Sequence, residues 1–403
     1  MVDQAAVARA KEHFAQIVEE QLKRVELLKN EPDWLDYQSM SHIRIGVCGG
    51  DGIGPFITRE AVRVIEGILA PEVASGKIEF KLIEGLTIEN RAAQGKALPD
   101  EVVAELHKCH AVLKGPTTTP QRGDPWPNIE SANVAMRREL DLFANVRPVR
   151  VPSQGIDWIF FRENTEGAYI LGSRGVRVTD DLSFDFTAVT WQGSERLLRL
   201  AFEHAKKTGR NHVTVVHKAN IIKLTDGLFL DVAREVAKDY PEVAWDDWMV
   251  DIMSAKMIDP QRRTGFSVIA LPNLYGDILT DEAAEFQGGV GTAGSANIGK
   301  QNAMFEAIHG SAPRMVTEGR TQYANPTSMI VAGRMMLDHM GYTDRAKRLD
   351  MALDICGQYE RRLVMTSRPG GATGVEYADY VMETLSDPRL EGRWRAYAAA
   401  KTG

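Results

Sequence analysis

Apolar positions recur along the chain with two periods. Val7, Ala10, Phe14, Ile17, Val18, Leu22, Val25 and Leu28 recur at spacings of three and four, with Ile17 and Val18 adjacent, which predicts an amphipathic helix over residues 2 to 30. Glu31-Pro32-Asp33 is expected to end it, because proline disfavours helix at its own position and just before it. Ile43 to Cys48 then alternates and turns apolar, as a buried strand does. A Gly49 to Pro55 turn and a helix from about Phe56 to Leu69 follow. Further runs, Ile78 to Ile83, Ala111 to Lys114, Trp158 to Arg162, Val213 to His217 and Val268 to Leu271, alternate with helical patterns. Strand and helix in alternation predict an α/β protein with much parallel sheet. Ser173 to Trp191 has no helical period, and Val176, Val178, Phe184, Phe186 and Ala188 predict an antiparallel arm.

Composition narrows the function classes. Of 403 residues, 44% are apolar and 26% charged, which is too apolar for a disordered chain. The formal net charge of −7 argues against a nucleic-acid partner, which would select a basic face. With no apolar run of about 18 residues, no membrane span is expected. Three scattered cysteines, Cys48, Cys109 and Cys356, form neither a zinc motif nor a disulfide framework and suit a reducing compartment. No secretory pattern opens the chain. Asp3, Glu12, Glu19 and Glu20 do not suit an acid-poor transit peptide, so the expected location is cytoplasmic.

Candidate chemistry lies in a few clusters. The glycines after the first strand do not make a dinucleotide fingerprint, since Pro55 stands where the third glycine belongs. Gly289-Val-Gly291-Thr-Ala-Gly294 matches the pattern but follows helical sequence, so it reads as a loop, and no Rossmann domain is expected. Asp277 and Asp281 would share one helix face, and Asp251 sits among apolar neighbours. Three such carboxylates suit a hard divalent cation, the alternative being capping and surface aspartates. Arg137, Arg147 and Arg162, with Asn133 one helical turn before Arg137, could clamp a multiply carboxylated ligand or be solvated. Lys218 follows an apolar strand and Tyr169 closes Glu163-Asn-Thr-Glu-Gly-Ala-Tyr169. Either could move protons or be structural.

Taken together, seven segments in order resemble the metal-dependent β-decarboxylating dehydrogenases of the isocitrate and isopropylmalate dehydrogenase family. They are Gly50-Asp-Gly-Ile-Gly-Pro55, Lys114-Gly-Pro-Thr-Thr-Thr-Pro120, Leu140 to Pro148, Arg162-Glu-Asn164, His217-Lys-Ala-Asn220, Asn273 to Asp281 and Phe305 to Pro313. The resemblance runs from about Ile43 to Met382.

It implies a two-lobed, non-Rossmann α/β fold. An N-terminal helical extension, 1–40, would precede a large lobe of 41–142 and 288–403. A small lobe, 143–287, would carry an antiparallel dimer clasp at about 170–191. It also implies the site. Asp251, Asp277 and Asp281 would hold Mg²⁺ or Mn²⁺, and Arg137, Arg147 and Arg162 the malate portion of a substrate. Ser131 and Asn133 would meet its third substituent; as hydrogen-bonding residues they suit the carboxylate of isocitrate better than the isopropyl group of isopropylmalate. Tyr169 and Lys218 would be catalytic. Lys114, Thr118, Thr119, Asn220, Glu306, His309, Gly310, Ser311, Ala312, Arg314, Met315 and Asn325 would contact NAD or NADP. Lys218 and Asp251 would come from a neighbouring subunit, so a homodimer with shared sites is implied. The alternatives are homoisocitrate or 3-isopropylmalate as substrate, or a non-catalytic regulatory subunit. Two departures stand out. Phe56 occupies a usually acidic position, and Arg314-Met315 replaces the Asp-Ile pair of NAD users, favouring NADP. Met365 to Gly371, in contrast, resembles the Gly-Gly loop of NAD users.

Overall fold

The structure, a computed structural model, describes residues 3–121, 123–171, 174–289 and 293–401. The centre of the Gly289 to Gly294 match, residues 290–292, therefore lies outside the described residues, as does Ser173 at the start of the expected arm. The chain is mixed α/β and falls into two compact units, Met1–Asp33 with Leu142–Gln287, and Trp34–Asp141 with Gly288–Gly403. Its strands, in chain order, are β1 Ile43–Cys48, β2 Ile78–Leu82, β3 Ala111–Lys114, β4 Ala144–Val151, β5 Ile156–Glu163, β6 Val176–Thr179, β7 Leu182–Phe184, β8 His212–His217, β9 Ala244–Met249, β10 Val268–Leu271, β11 Gly294–Ile298 and β12 Ala303–Ala307.

In the unit containing Trp34–Asp141, the strands run β2-β1-β3-β12-β11, parallel except for β11. β3 is buried throughout, as continuous apolar strands in parallel sheets are. The helix Gly54–Ile68 starts earlier than the periodicity predicts because Pro55 fits its first turn, where no amide partner is needed. Gly52, at φ +61°, is required here: a Cβ would lie 2.0 Å from the Ser311 carbonyl oxygen.

In the unit containing Leu142–Gln287, the strands run β4-β5-β10-β8-β9, with β4 antiparallel to β5 and the others parallel. Trp158, Phe160, Ile269 and Leu271 build a core onto which the helix Asn273–Phe286 lays Leu279 and Ala283. β6 and β7 pair as the expected antiparallel arm. Phe186 and Ala188 lie outside its strands, and Ala188 makes an isolated bridge to Gly167. The N-terminal helix, Gln4–Leu28, is capped by Asp3, whose carboxylate accepts the Ala5 and Ala6 amides at 3.0 Å. It ends at Leu28, ahead of the proline.

Candidate active site

The helix Asn273–Phe286 carries Asp277 and Asp281 one turn apart, and burial of Leu279 and Ala283 leaves both carboxylates off the packed face. Arg162, at the end of β5, is only 1% exposed. Asn273 Oδ1 accepts from its Nε at 3.1 Å and its Nη2 at 2.7 Å, while its Nη1 donates to Asp277. Gly276 makes room for this, since a Cβ there would meet Arg162 Cγ at 2.4 Å. Arg147 on β4 donates to Thr280 Oγ1 at 2.5 Å and Asp281 Oδ1 at 3.1 Å, with Asp277 3.8 Å from Nη2. The Tyr169 hydroxyl donates to Asp277 Oδ2 at 2.5 Å, and its ring lies under the Arg162 guanidinium. Two arginines, two aspartates and a tyrosine thus form one network. Partial desolvation and the neighbouring Asp277 charge push the Asp281 carboxyl up, although Arg147 acts in the other direction and the side chain stays largely in solvent.

Lys218 and Asp251 form a separate pair in this unit, Nζ to Oδ1 at 2.5 Å, which draws the Asp251 carboxyl down. Asp251 is not enclosed by its apolar neighbours, as sequence alone suggested. It is exposed on the first turn of the helix Val250–Ile258. Lys218 is oriented from behind: buried Asp226 accepts its amide at 2.7 Å and the Tyr275 hydroxyl at 3.0 Å. His217 accepts the Ala219 amide at Nδ1, leaving Nε2 to donate to Asp247 at 2.8 Å. Asn220 is exposed in the turn that follows.

The other unit carries its own constellation. Lys114 ends β3 fully buried and donates to Glu306 Oε2 at 3.1 Å; Arg137 and Asn297 donate to Oε1 at 3.2 and 2.8 Å. Burial alone would raise the Glu306 carboxyl, but Lys114 and Arg137 outweigh it and hold it near 2. Asn133 Oδ1 accepts from Thr117 at 3.0 Å. Ser131, at the start of the helix Ala132–Glu139, makes no capping bond with its side chain. Thr118 and Ser311 hydroxyls meet at 2.8 Å, whereas Thr119 is exposed. His309, lowered by burial, meets Ser328 Oγ at 2.8 Å, and exposed Gly310 follows it. Ala312 takes the left-handed conformation, φ +48°, that opens the short helix Pro313–Thr317, on which Met315 is half-buried. Arg314 is exposed and donates to Glu318 at 2.6 Å; Glu318 also accepts from Arg320 at 2.6 Å. Asn325 Oδ1 accepts the Thr327 amide at 3.0 Å and hydroxyl at 2.6 Å.

The structure does not gather Asp251, Asp277 and Asp281 at one centre: no group of three acid, His or Cys side chains fit to hold a metal occurs among the described residues. Asp277 and Asp281 supply hard oxygen donors on one helix face, which suits Mg²⁺ or Mn²⁺. Asn273 and Thr280 lie inside one of the motif segments, but their partners Arg162 and Arg147 are 111 and 133 residues away, so these supporting contacts carry no local signal. Asp226 lies outside every motif segment, eight residues from Lys218, and is buried. Arg91 is likewise fully buried and donates to the carbonyls of Ala97, Thr118 and Glu130, pinning the segment that leads to Ser131.

The chain resembles known proteins over most of its length. The profile of the family described as isocitrate/isopropylmalate dehydrogenase matches residues 44–357. The chain is 39% identical over 349 residues to the isocitrate/homoisocitrate dehydrogenase of Thermus thermophilus, covering 85% of this chain and 98% of that protein. It is also 39% identical over 318 residues to the 3-isopropylmalate dehydrogenase of Archaeoglobus fulgidus, covering 77% and 90%. The crystal structure of isocitrate dehydrogenase from Methylococcus capsulatus superposes with a TM-score of 0.74 at 36% identity, over 86% of this chain and all of that one.

Proposed function

Because the chain belongs to the isocitrate/isopropylmalate dehydrogenase family, a family of decarboxylating dehydrogenases that depend on a divalent metal and NAD or NADP, we propose that it converts isocitrate to 2-oxoglutarate and CO₂. Overall identity does not select the substrate, since relatives named for isocitrate/homoisocitrate and for isopropylmalate are equally similar. One observation supports the choice: Ser131 and Asn133 are half-buried polar residues, and in this reading they face the third substituent of the substrate, where an isopropyl group would need apolar contact. Facing an alkyl group, each lost polar partner would cost about 1–3 kcal/mol.

In this reading Arg137, Arg147 and Arg162 bind substrate carboxylates, with Glu306, Thr280 and Asn273 fixing their guanidinium planes. Lys218 takes the proton of the 2-hydroxyl. Tyr169 returns a proton to C3 after carbon dioxide leaves. A divalent cation on Asp277 and Asp281, completed by Asp251 of a second copy, would supply Lewis-acid polarisation of the 2-oxygen, and the nicotinamide would accept the hydride. A homodimer is supported by apolar side chains left in solvent on the segments carrying Lys218, Asp251 and Asp277. Ile221, Leu224, Ile252 and Ile278 are 69%, 87%, 42% and 58% exposed. NADP is favoured by charge: Arg314 and Arg320 share the single acid Glu318, leaving a positive excess suited to a 2′-phosphate.

The test is a matrix of isocitrate, homoisocitrate and 3-isopropylmalate against NAD and NADP with Mn²⁺, and with chelator as control. Isocitrate is expected to give the highest kcat/KM, and chelator to abolish turnover. Better turnover of 3-isopropylmalate would overturn the substrate, and an NAD preference above tenfold the nucleotide. Inactivity with every substrate would favour a regulatory subunit.

A further inference from the structure

The N-terminal helix Gln4–Leu28 lies ahead of the segment that matches the family, which begins at residue 44. Its inner face nevertheless reaches deep into its unit. Arg24 Nη1 donates to Glu166 Oε1 at 2.7 Å and Nη2 to Thr165 Oγ1 at 3.4 Å; the Glu166 side chain is 2% exposed. Seven residues later Glu31 pairs with Arg196, which also donates to Thr165 Oγ1 at 3.2 Å. The extension is therefore fastened to the turn Glu163–Glu166 directly through Arg24 and indirectly through Arg196, both of which reach Thr165 Oγ1.

That turn holds two buried carboxylates. Glu163 accepts the amides of Thr165 and Glu166, each at 2.7 Å. Glu166 accepts the Thr190 amide at 2.9 Å and is packed so tightly on the helix Trp191–Thr208 that a Cβ at Gly193 would overlap it. Burial, and then the nearby Glu166 carboxylate, push the Glu163 carboxyl well above the usual range. The turn also leads straight to the arginine. Asn273 Nδ2 donates to the Glu166 carbonyl at 3.1 Å and lies 3.5 Å from Glu163 Oε2, while its Oδ1 grips Arg162.

We propose that Arg24 is a positioning residue: the extension neutralises Glu166 and so holds the turn, Asn273 and the Arg162 guanidinium in the geometry that receives a substrate carboxylate. This rests on the reading of Arg162 as a substrate ligand. Without the Arg24 charge, Glu166 turns toward water, its carbonyl moves with it, and Asn273 loses a partner. Arg162 then samples several orientations. Binding of ground state and transition state weakens together, so KM rises while kcat holds.

The experiment compares full-length wild type, Arg24→Met, Arg24→Lys and, as a control on the exposed face, Lys11→Ala. Arg24→Met is expected to raise KM for isocitrate at least fivefold with kcat changed less than threefold, and Arg24→Lys to recover most of the loss. Lys11→Ala is expected to match wild type. An unchanged KM in Arg24→Met overturns the inference, as does a loss that falls on kcat alone. If wild type turns over no 3-substituted malate, the functional reading fails instead. Hydrogen exchange at the Thr165 and Glu166 amides then decides the inference: faster exchange in Arg24→Met but not in Arg24→Lys supports it, and equal exchange in all four proteins overturns it.

Discussion

Glu306 in one unit and Asp277 in the other both meet arginines, but they differ in what remains for a ligand. Glu306 is sealed on β12, with Lys114, Arg137 and Asn297 consuming its oxygens. Asp277 and Asp281 keep 39% and 62% of their side chains exposed and lie at the rim of the Arg147–Arg162 network. A carboxylate surrounded by its own cations is a fixed part that aims Arg137. A pair of carboxylates with open faces, one pushed up in pKa, can still gain from a cation. The same pairing of residue types is therefore sealed in one unit and partly open to solvent in the other.

The largest expected effect tests the reactive side. Lys218→Met and Tyr169→Phe should each lower kcat by roughly 10²–10⁴ while circular dichroism and melting stay near wild type, since proton transfer is lost and little packing is. Melting that collapses with activity would erase the contrast. On the scaffold side, Glu306→Gln leaves Lys114 and Arg137 buried without their anion and should cost about 3–5 kcal/mol of stability at pH 7, read by denaturant unfolding. The sign of its pH dependence follows from a carboxyl held near 2, against an ordinary value near 4.5. Its stabilisation is complete above about pH 4.5 and fades as pH falls toward 2, so the gap between wild type and variant should narrow in acid. A gap independent of pH would mean that the charge of Glu306 is not what holds the unit. Next, Ser131→Leu should cut kcat/KM for isocitrate by about 1–3 kcal/mol, roughly five- to 150-fold, with malate use much less affected. An unchanged ratio would remove the basis for isocitrate. The smallest effect belongs to exposed Arg314: Arg314→Ala should raise KM for NADP a few-fold more than KM for NAD, because solvent screens an exposed charge.

Family and fold class were legible because they are written locally. The alternation of strand and helix, the Gly-Ile-Gly-Pro turn and the i, i+4 spacing of Asp277 and Asp281 depend on short-range sterics and periodicity. Strand ends were less legible. β5 extends to Ile156 and Glu163 at its two ends, beyond the apolar run, because antiparallel pairing with β4 continues past it. The N-terminal helix was visible as an amphipathic pattern, but not where its polar inner residues go. His13 meets the Arg174 carbonyl at 2.6 Å across 161 residues, and Arg24 meets Glu166 across 142.

Sequence by itself thus determined which segments become strands and helices, which turn demands glycine and which residue types are available for chemistry. Tertiary structure alone decided which charges are consumed and which stay open. Lys114 and Glu306 are 192 residues apart, and Arg162 and Asn273 are 111 apart. No local period carries information over such distances. Only the packing of strand beside strand, or of helix on strand, brings the two ends of such a contact together and excludes the water that would otherwise screen it.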